Sequence, residues 1–143
     1  MDRVRWLAAA VTVAVGTGLV HGGVHAAVPV PVAGWQAASV AATLFVAPLA
    51  GVGLAAVGRV RTGAALVAAA MTGGLAFEAV AHFVVRNPDH VVAGADGHVG
   101  FAATAALSVA GDAVAGALAA LVLWRERESA GTLALPQSPG RPD

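Results

Sequence analysis

The chain has 143 residues, room for one domain and hardly two. Hydrophobic residues make up 58% and charged residues 11%, mean hydropathy is +0.78 and formal net charge is zero, so the chain prefers lipid to water. Zero net charge without a basic patch excludes a nucleic-acid partner. The absence of cysteine excludes disulfides, thiolate metal sites and thiol catalysis.

A bilayer crossing needs about 20 mostly apolar residues. Four runs meet this length, at 6–28, 35–57, 63–85 and 99–124. The first follows "MDRVR" and contains Gly18 and Gly22, a GxxxG pair suited to close helix packing. The same stretch reads as a signal peptide with a cleavage site at Val24-His25-Ala26, although its length favours a retained span. "PVPVAG" (29–34) ends it with two prolines. The second run holds Pro48, a predicted kink, with Gln36, Ser39 and Thr43 towards its start. "GRVRTG" (58–63) is a short charged turn. The third run carries Gly73, Gly74, Glu78 and His82, and "RNPDHVVAGADGHV" (86–99) is a loop with Asn-Pro and two glycines, Gly94 and Gly97. The fourth run includes Thr104, Ser108, Gly111, Asp112 and Gly116. Residues 1–124 therefore form the helical domain, and 125–143 read as a polar, disordered cytoplasmic tail.

Arginine placement sets the expected orientation. Arg3, Arg5, Arg59, Arg61, Arg125, Arg127 and Arg141 fall on one side of the membrane and Arg86 alone on the other. The positive-inside rule then makes both termini cytoplasmic. Trp6 and Trp124 fall at the inner interface and Trp35 at the outer one, where indole rings settle. The expected fold class is all-α: an integral four-helix bundle of the cytoplasmic membrane, up-down-up-down, N-in and C-in.

This orientation puts all five histidines, at 21, 25, 82, 90 and 98, in the outer half. At about 1.5 Å rise per residue, His21 and Glu78 lie about 6 Å outward of the span centres, and His25 and His82 about 12 Å. Each pair is spaced i,i+4 and projects from one helix face. HxxxH and ExxxH thus form two ladders at matched depth. Thr104, Ser108 and Asp112 make a third polar stripe, with Asp112 near the bilayer centre, where a charge costs about 2.5–3.5 kcal/mol.

His21, His25, Glu78 and His82 form a donor set for a divalent transition metal such as Zn, Cu, Ni or Fe. The same ladders offer a haem b two axial ligands, His25 and His82. Without a ligand, the polar groups instead fix helix packing in a structural, sensory or partner protein, which is the first alternative. The second is a proton-coupled carrier working through Glu78, Asp112, Ser108 and Thr104, for which four spans call for a homo-oligomer or a partner membrane protein. His90 and His98 read as wet interfacial residues. No Walker, GxSxG or HExxH motif is present, so an enzyme is the less favoured class.

The segments "LVHGGVHAAVPVPVAGWQ" (19–36) and "FEAVAHFVVRNPDHV" (77–91) resemble those of small four-span membrane proteins from haloarchaea and other GC-rich prokaryotes. Covering roughly residues 5–124, the resemblance implies fold and location and brings no activity or site residues.

Overall fold

The computed structural model describes residues 3–28, 30–92 and 98–133. Four helices account for nearly all of them: α1 (Arg3–Ala27), α2 (Gly34–Ala56), α3 (Val60–Val84) and α4 (Val99–Leu133). The described residues contain no strand. All four helices are long and apolar enough to cross a membrane. Loop residues 93–97, which include Gly94 and Gly97, lie outside the described residues, as do residues 134–143 of the expected tail.

The helix ends follow local chemistry. Gly58 adopts a φ of +87°, the left-handed conformation that lets a chain leave a helix. Around it, the Arg59 N–H donates to Leu54 O at 2.9 Å and the Gly58 N–H to Ala55 O at 3.1 Å, the paired pattern of a Schellman cap on α2. α4 departs from expectation by continuing past Trp124 to Leu133. Residues 125–128, Arg-Glu-Arg-Glu, are good helix formers. Ser129 bonds back to Arg125 O at 2.9 Å, and Glu126 pairs with Arg3 of α1.

Pro48 leaves its mark one turn upstream. It has no N–H for Leu44 O, and its ring would crowd that carbonyl. α2 responds by widening into a π-helical turn over Ala41–Val46, where the Ala47 N–H reaches back five residues to Ala42 O. The second π turn, Val80–Val84, ends α3 and contains His82.

Close packing falls partly on glycines that GxxxG spacing does not mark. α2 and α3 touch through Gly51 and Gly63: a Cβ on Gly51 would come within 2.8 Å of Gly63 O, and one on Gly63 would strike Gly51 O. α1 and α4 meet where a Cβ on Gly111 would approach Thr17 Oγ1 at 2.6 Å. Gly18 has neighbours on α2 and α4, but Gly22 and Gly73 face open space. In lipid, such contacts supply the dispersion energy that apolar burial no longer does.

The interior is layered. Leu7, Val11, Leu44, Val67, Met71 and Ala119 belong to an apolar core towards the arginine-bearing end. Val30, Val91, Phe101 and Ala105 form a smaller one at the opposite end. Between them lie the buried polar residues His21, Glu78, His82, Ser108 and Asp112.

Candidate metal centre

Three of the four residues expected at the site converge. His21 and His25 descend from α1 one turn apart, and His82 comes from the π turn of α3. One nitrogen from each of the three rings lies within 4.8 Å of the other two. His21 Nε2 and His82 Nε2 are 3.2 Å apart in a fully buried contact.

The second nitrogen of each of these two rings is already committed. His21 Nδ1 is 3.0 Å from Thr104 Oγ1, which is itself 2.8 Å from Gly100 O. His82 Nδ1 is 2.9 Å from the backbone oxygen of Asp89, which can only accept, so the proton of a neutral His82 sits on Nδ1 and its Nε2 presents a lone pair. Thr104 can take either role towards His21. With its hydroxyl on Gly100 it accepts from His21 Nδ1–H, two Nε2 lone pairs meet at 3.2 Å, and a positive species between them relieves the repulsion. With its hydroxyl on His21, the imidazole proton sits on Nε2 and bonds to His82.

That spacing suits a metal. Two imidazole nitrogens on one tetrahedral ion, each bonded at about 2.0–2.1 Å, are about 3.3 Å apart. The contacts to Thr104 and Asp89 are the outer-shell bonds that set tautomer and ring orientation in metal-ligating histidines.

His25 completes the group. Its ring centroid lies 4.7 Å from that of His21, and its Nδ1 is buried without a hydrogen-bond partner. Its Nε2 is 3.2 Å from Asp89 Oδ1, yet Oδ1 accepts no well-aligned hydrogen bond. Asp89 thus stands beside two of the three histidines with an unused carboxylate oxygen, 3.6 Å from His82 Nδ1.

A loop delivers Asp89. Asn87 folds back over the end of α3, donating to Ala81 O at 3.1 Å and Val85 O at 3.0 Å. Its side-chain oxygen accepts from the Asp89 N–H at 2.6 Å, and the Val91 N–H closes on His82 O at 3.0 Å. Phe101, fully buried on α4, packs against all three imidazoles with ring centroids 4.8–5.6 Å away. Sequence reasoning missed both residues. "NPD" straight after a polar-bearing span was the available signal for Asp89; for Phe101 there was none.

Glu78 is not among the converging ligand atoms. A π turn over Val80–Val84 follows it and carries His82, while Glu78 lines the same cavity without its carboxylate joining the three imidazole nitrogens. Glu78 lies instead beside Ser108, in electrostatic reach of Asp112. Thr104, from the same stripe, serves His21. His90 and His98 make local bonds: His98 Nδ1 accepts from the Phe101 N–H at 3.2 Å and caps α4. His90 Nδ1 accepts from the Val92 N–H at 3.1 Å.

A cavity of about 330 Å³ adjoins the cluster, bounded by α1, α2 and α3. Its polar wall includes His21, His25, Glu78, His82 and Asp89, and the rest is mainly apolar, including Val40, Leu44 and Phe77.

Comparison with known protein families, with proteins of curated function and with solved structures finds no match. The class is therefore defined by the architecture alone: an all-helical protein with four helices able to cross a membrane and a histidine cluster able to hold a metal ion.

Proposed function

We propose that the chain is a multi-pass protein of the cytoplasmic membrane, with both termini inside, that binds one transition-metal ion near the outer face. The ligands are His21 Nε2, His82 Nε2 and His25, and Asp89 offers a carboxylate to complete four-coordination. The observation that carries this reading is the convergence of one nitrogen from each of His21, His25 and His82 within 4.8 Å, with the Nε2 atoms of His21 and His82 3.2 Å apart. Mixed imidazole and carboxylate donors suit Zn, Cu, Ni or Fe.

The packing favours an ion over a haem. His25 and His82 have ring centroids 5.9 Å apart and share Phe101 as a neighbour, which leaves no slot for a macrocycle between them. A hydrogen bond from His21 Nε2–H to His82 Nε2 is the competing account of the same contact, and it corresponds to a purely structural polar core. Titration of the detergent-purified chain with Co²⁺, read by its visible absorption and by elemental analysis, separates the two. One ion per chain, lost in His21→Ala and His82→Ala variants that still fold, supports the metal reading. No stoichiometric ion in the unaltered chain overturns it.

A further inference from the structure

A second constellation lies one helical turn deeper than the histidines, and it does not depend on them. Glu78 of α3 and Ser108 and Asp112 of α4 are 4%, 0% and 1% exposed. Glu78 Oε2, Ser108 Oγ and Asp112 Oδ2 are fully buried; Ser108 and Glu78 lie in hydrogen-bonding reach of each other without a well-aligned bond, and Asp112 Oδ2 has no hydrogen-bond partner among the described residues. Ser108 sits beside Glu78, and the two carboxyls act on each other electrostatically. Gly74, one turn before Glu78, leaves space in front of Asp112: a Cβ there would come within 3.2 Å of Oδ2. Two facing ladders, Gly74 and Glu78 against Ser108 and Asp112, thus enclose these three buried oxygen atoms where α3 packs on α4.

Buried polar groups normally find partners, and two carboxyls that share one hydroxyl between apolar layers, with Asp112 Oδ2 left over, call for a ligand. The chemistry of the donors narrows which one. All are oxygens, which select hard cations over the softer ions that imidazole prefers. Two carboxylates carry two negative charges, which a divalent ion balances within a low-dielectric interior and a monovalent ion leaves half uncompensated. Access is open from the histidine end. Glu78 and Gly18 line the 330 Å³ cavity, and a Cβ on Gly18 would be 3.7 Å from Ser108 Oγ. Towards the arginine end, Val11, Leu44, Val67, Met71 and Ala115 close the path.

We infer that Glu78, Ser108 and Asp112 form a second cation site, which takes a hard divalent ion of the Mn²⁺, Mg²⁺ and Ca²⁺ class at the blind end of a polar track starting at the histidines. The site differs from the histidine centre in donor type and shares only α3 with it, pairing that helix with α4 instead of α1.

Mn²⁺ titration of the full-length chain in detergent, read by electron paramagnetic resonance, tests this. One Mn²⁺ per chain is expected, displaced by Mg²⁺ or Ca²⁺ and retained in a His21→Ala, His82→Ala double variant. Asp112→Asn is expected to weaken Mn²⁺ at least by the 10–100-fold that loss of an outer-shell partner costs. Ser108→Ala, which removes one neutral oxygen and spares the carboxylates, provides the same test should Asp112→Asn fail to fold. No Mn²⁺ bound to the unaltered chain, the outcome if both carboxyls hold protons instead, overturns the proposal. So does binding that Ser108→Ala and Asp112→Asn leave unchanged, or binding that vanishes with the histidines in a folded variant.

Discussion

Nε2 of His21 and Nε2 of His82 face each other at 3.2 Å across the α1–α3 interface, with Thr104 Oγ1 and the Asp89 carbonyl at the far sides of the two rings. His82 directs a lone pair at His21, and Thr104 decides what meets it: a second lone pair that calls for a cation, or a proton that closes a hydrogen bond. Metal titration tells the two states apart.

Thr104 faces His21 Nδ1 and bonds otherwise to the Gly100 and Phe101 carbonyls of its own helix. Thr104→Val keeps the shape of the side chain and removes the acceptor, leaving the ring free to rotate. Co²⁺ affinity is expected to fall about 10–100-fold, the usual cost of losing an outer-shell partner, with little change in thermal stability. Equal affinity in the two proteins would place the ion elsewhere.

Asn87 ties the outer loop to the end of α3 through three hydrogen bonds. Asn87→Ala should cost about 1–2 kcal/mol, as loss of a helix-terminal cap commonly does. It should also weaken metal binding, because the Asp89 carbonyl that holds His82 is anchored by the same turn. Denaturation and Co²⁺ titration of one preparation measure both effects; a stability loss with intact affinity would disconnect the loop from the site.

The contact of Gly51 with Gly63 leaves no room for a side chain. Gly63→Val is expected to force α2 and α3 apart and lower stability by at least the 1–3 kcal/mol of ordinary overpacking. Gly22→Ala is the matched control, since nothing lies within 4 Å of a Cβ there. Thermal unfolding of the two variants should differ widely, and similar melting temperatures would contradict the α2–α3 packing.

The chain has no cysteine, so single cysteines report orientation without background. Val92→Cys, in the loop after α3, is expected to react with an impermeant maleimide in intact cells. Ser129→Cys, on the charged extension of α4, should react only after permeabilisation. The reverse pattern would invert the membrane orientation and move the histidine centre to the inner face.

The four helices and their breaks were legible in the residues because hydropathy, Pro-Val-Pro-Val and the Gly58 turn act locally. Each depends on a few neighbours in the chain and needs no partner helix. The histidines' shared end followed from the same counting, and so did the burial of Glu78, Ser108 and Asp112 in the interior. Glu78 shares the cavity wall with His21 and His82, as matched depth implies, but its carboxylate is not among the atoms that converge. Depth counting assumes uniform α-helical geometry, which the π turn at Val80–Val84 interrupts. A neighbouring residue on a helix lies about 100° around the axis, so a single-residue change in repeat redirects a side chain to another interface.

Sequence alone determined that this chain makes four helices fit for a membrane, with His21, Glu78, His82 and Asp112 in their interior, because the free energy of leaving water adds residue by residue along the chain. Which of those groups meet was decided only by tertiary structure. His82 was turned onto His21 by a π turn, Asp89 was carried in by a loop folded back over α3, and Glu78 was left to Ser108 and Asp112. Convergence depends on helix rotation and on contacts between residues up to 83 positions apart, as between His21 and Thr104, and no local property of the chain encodes either.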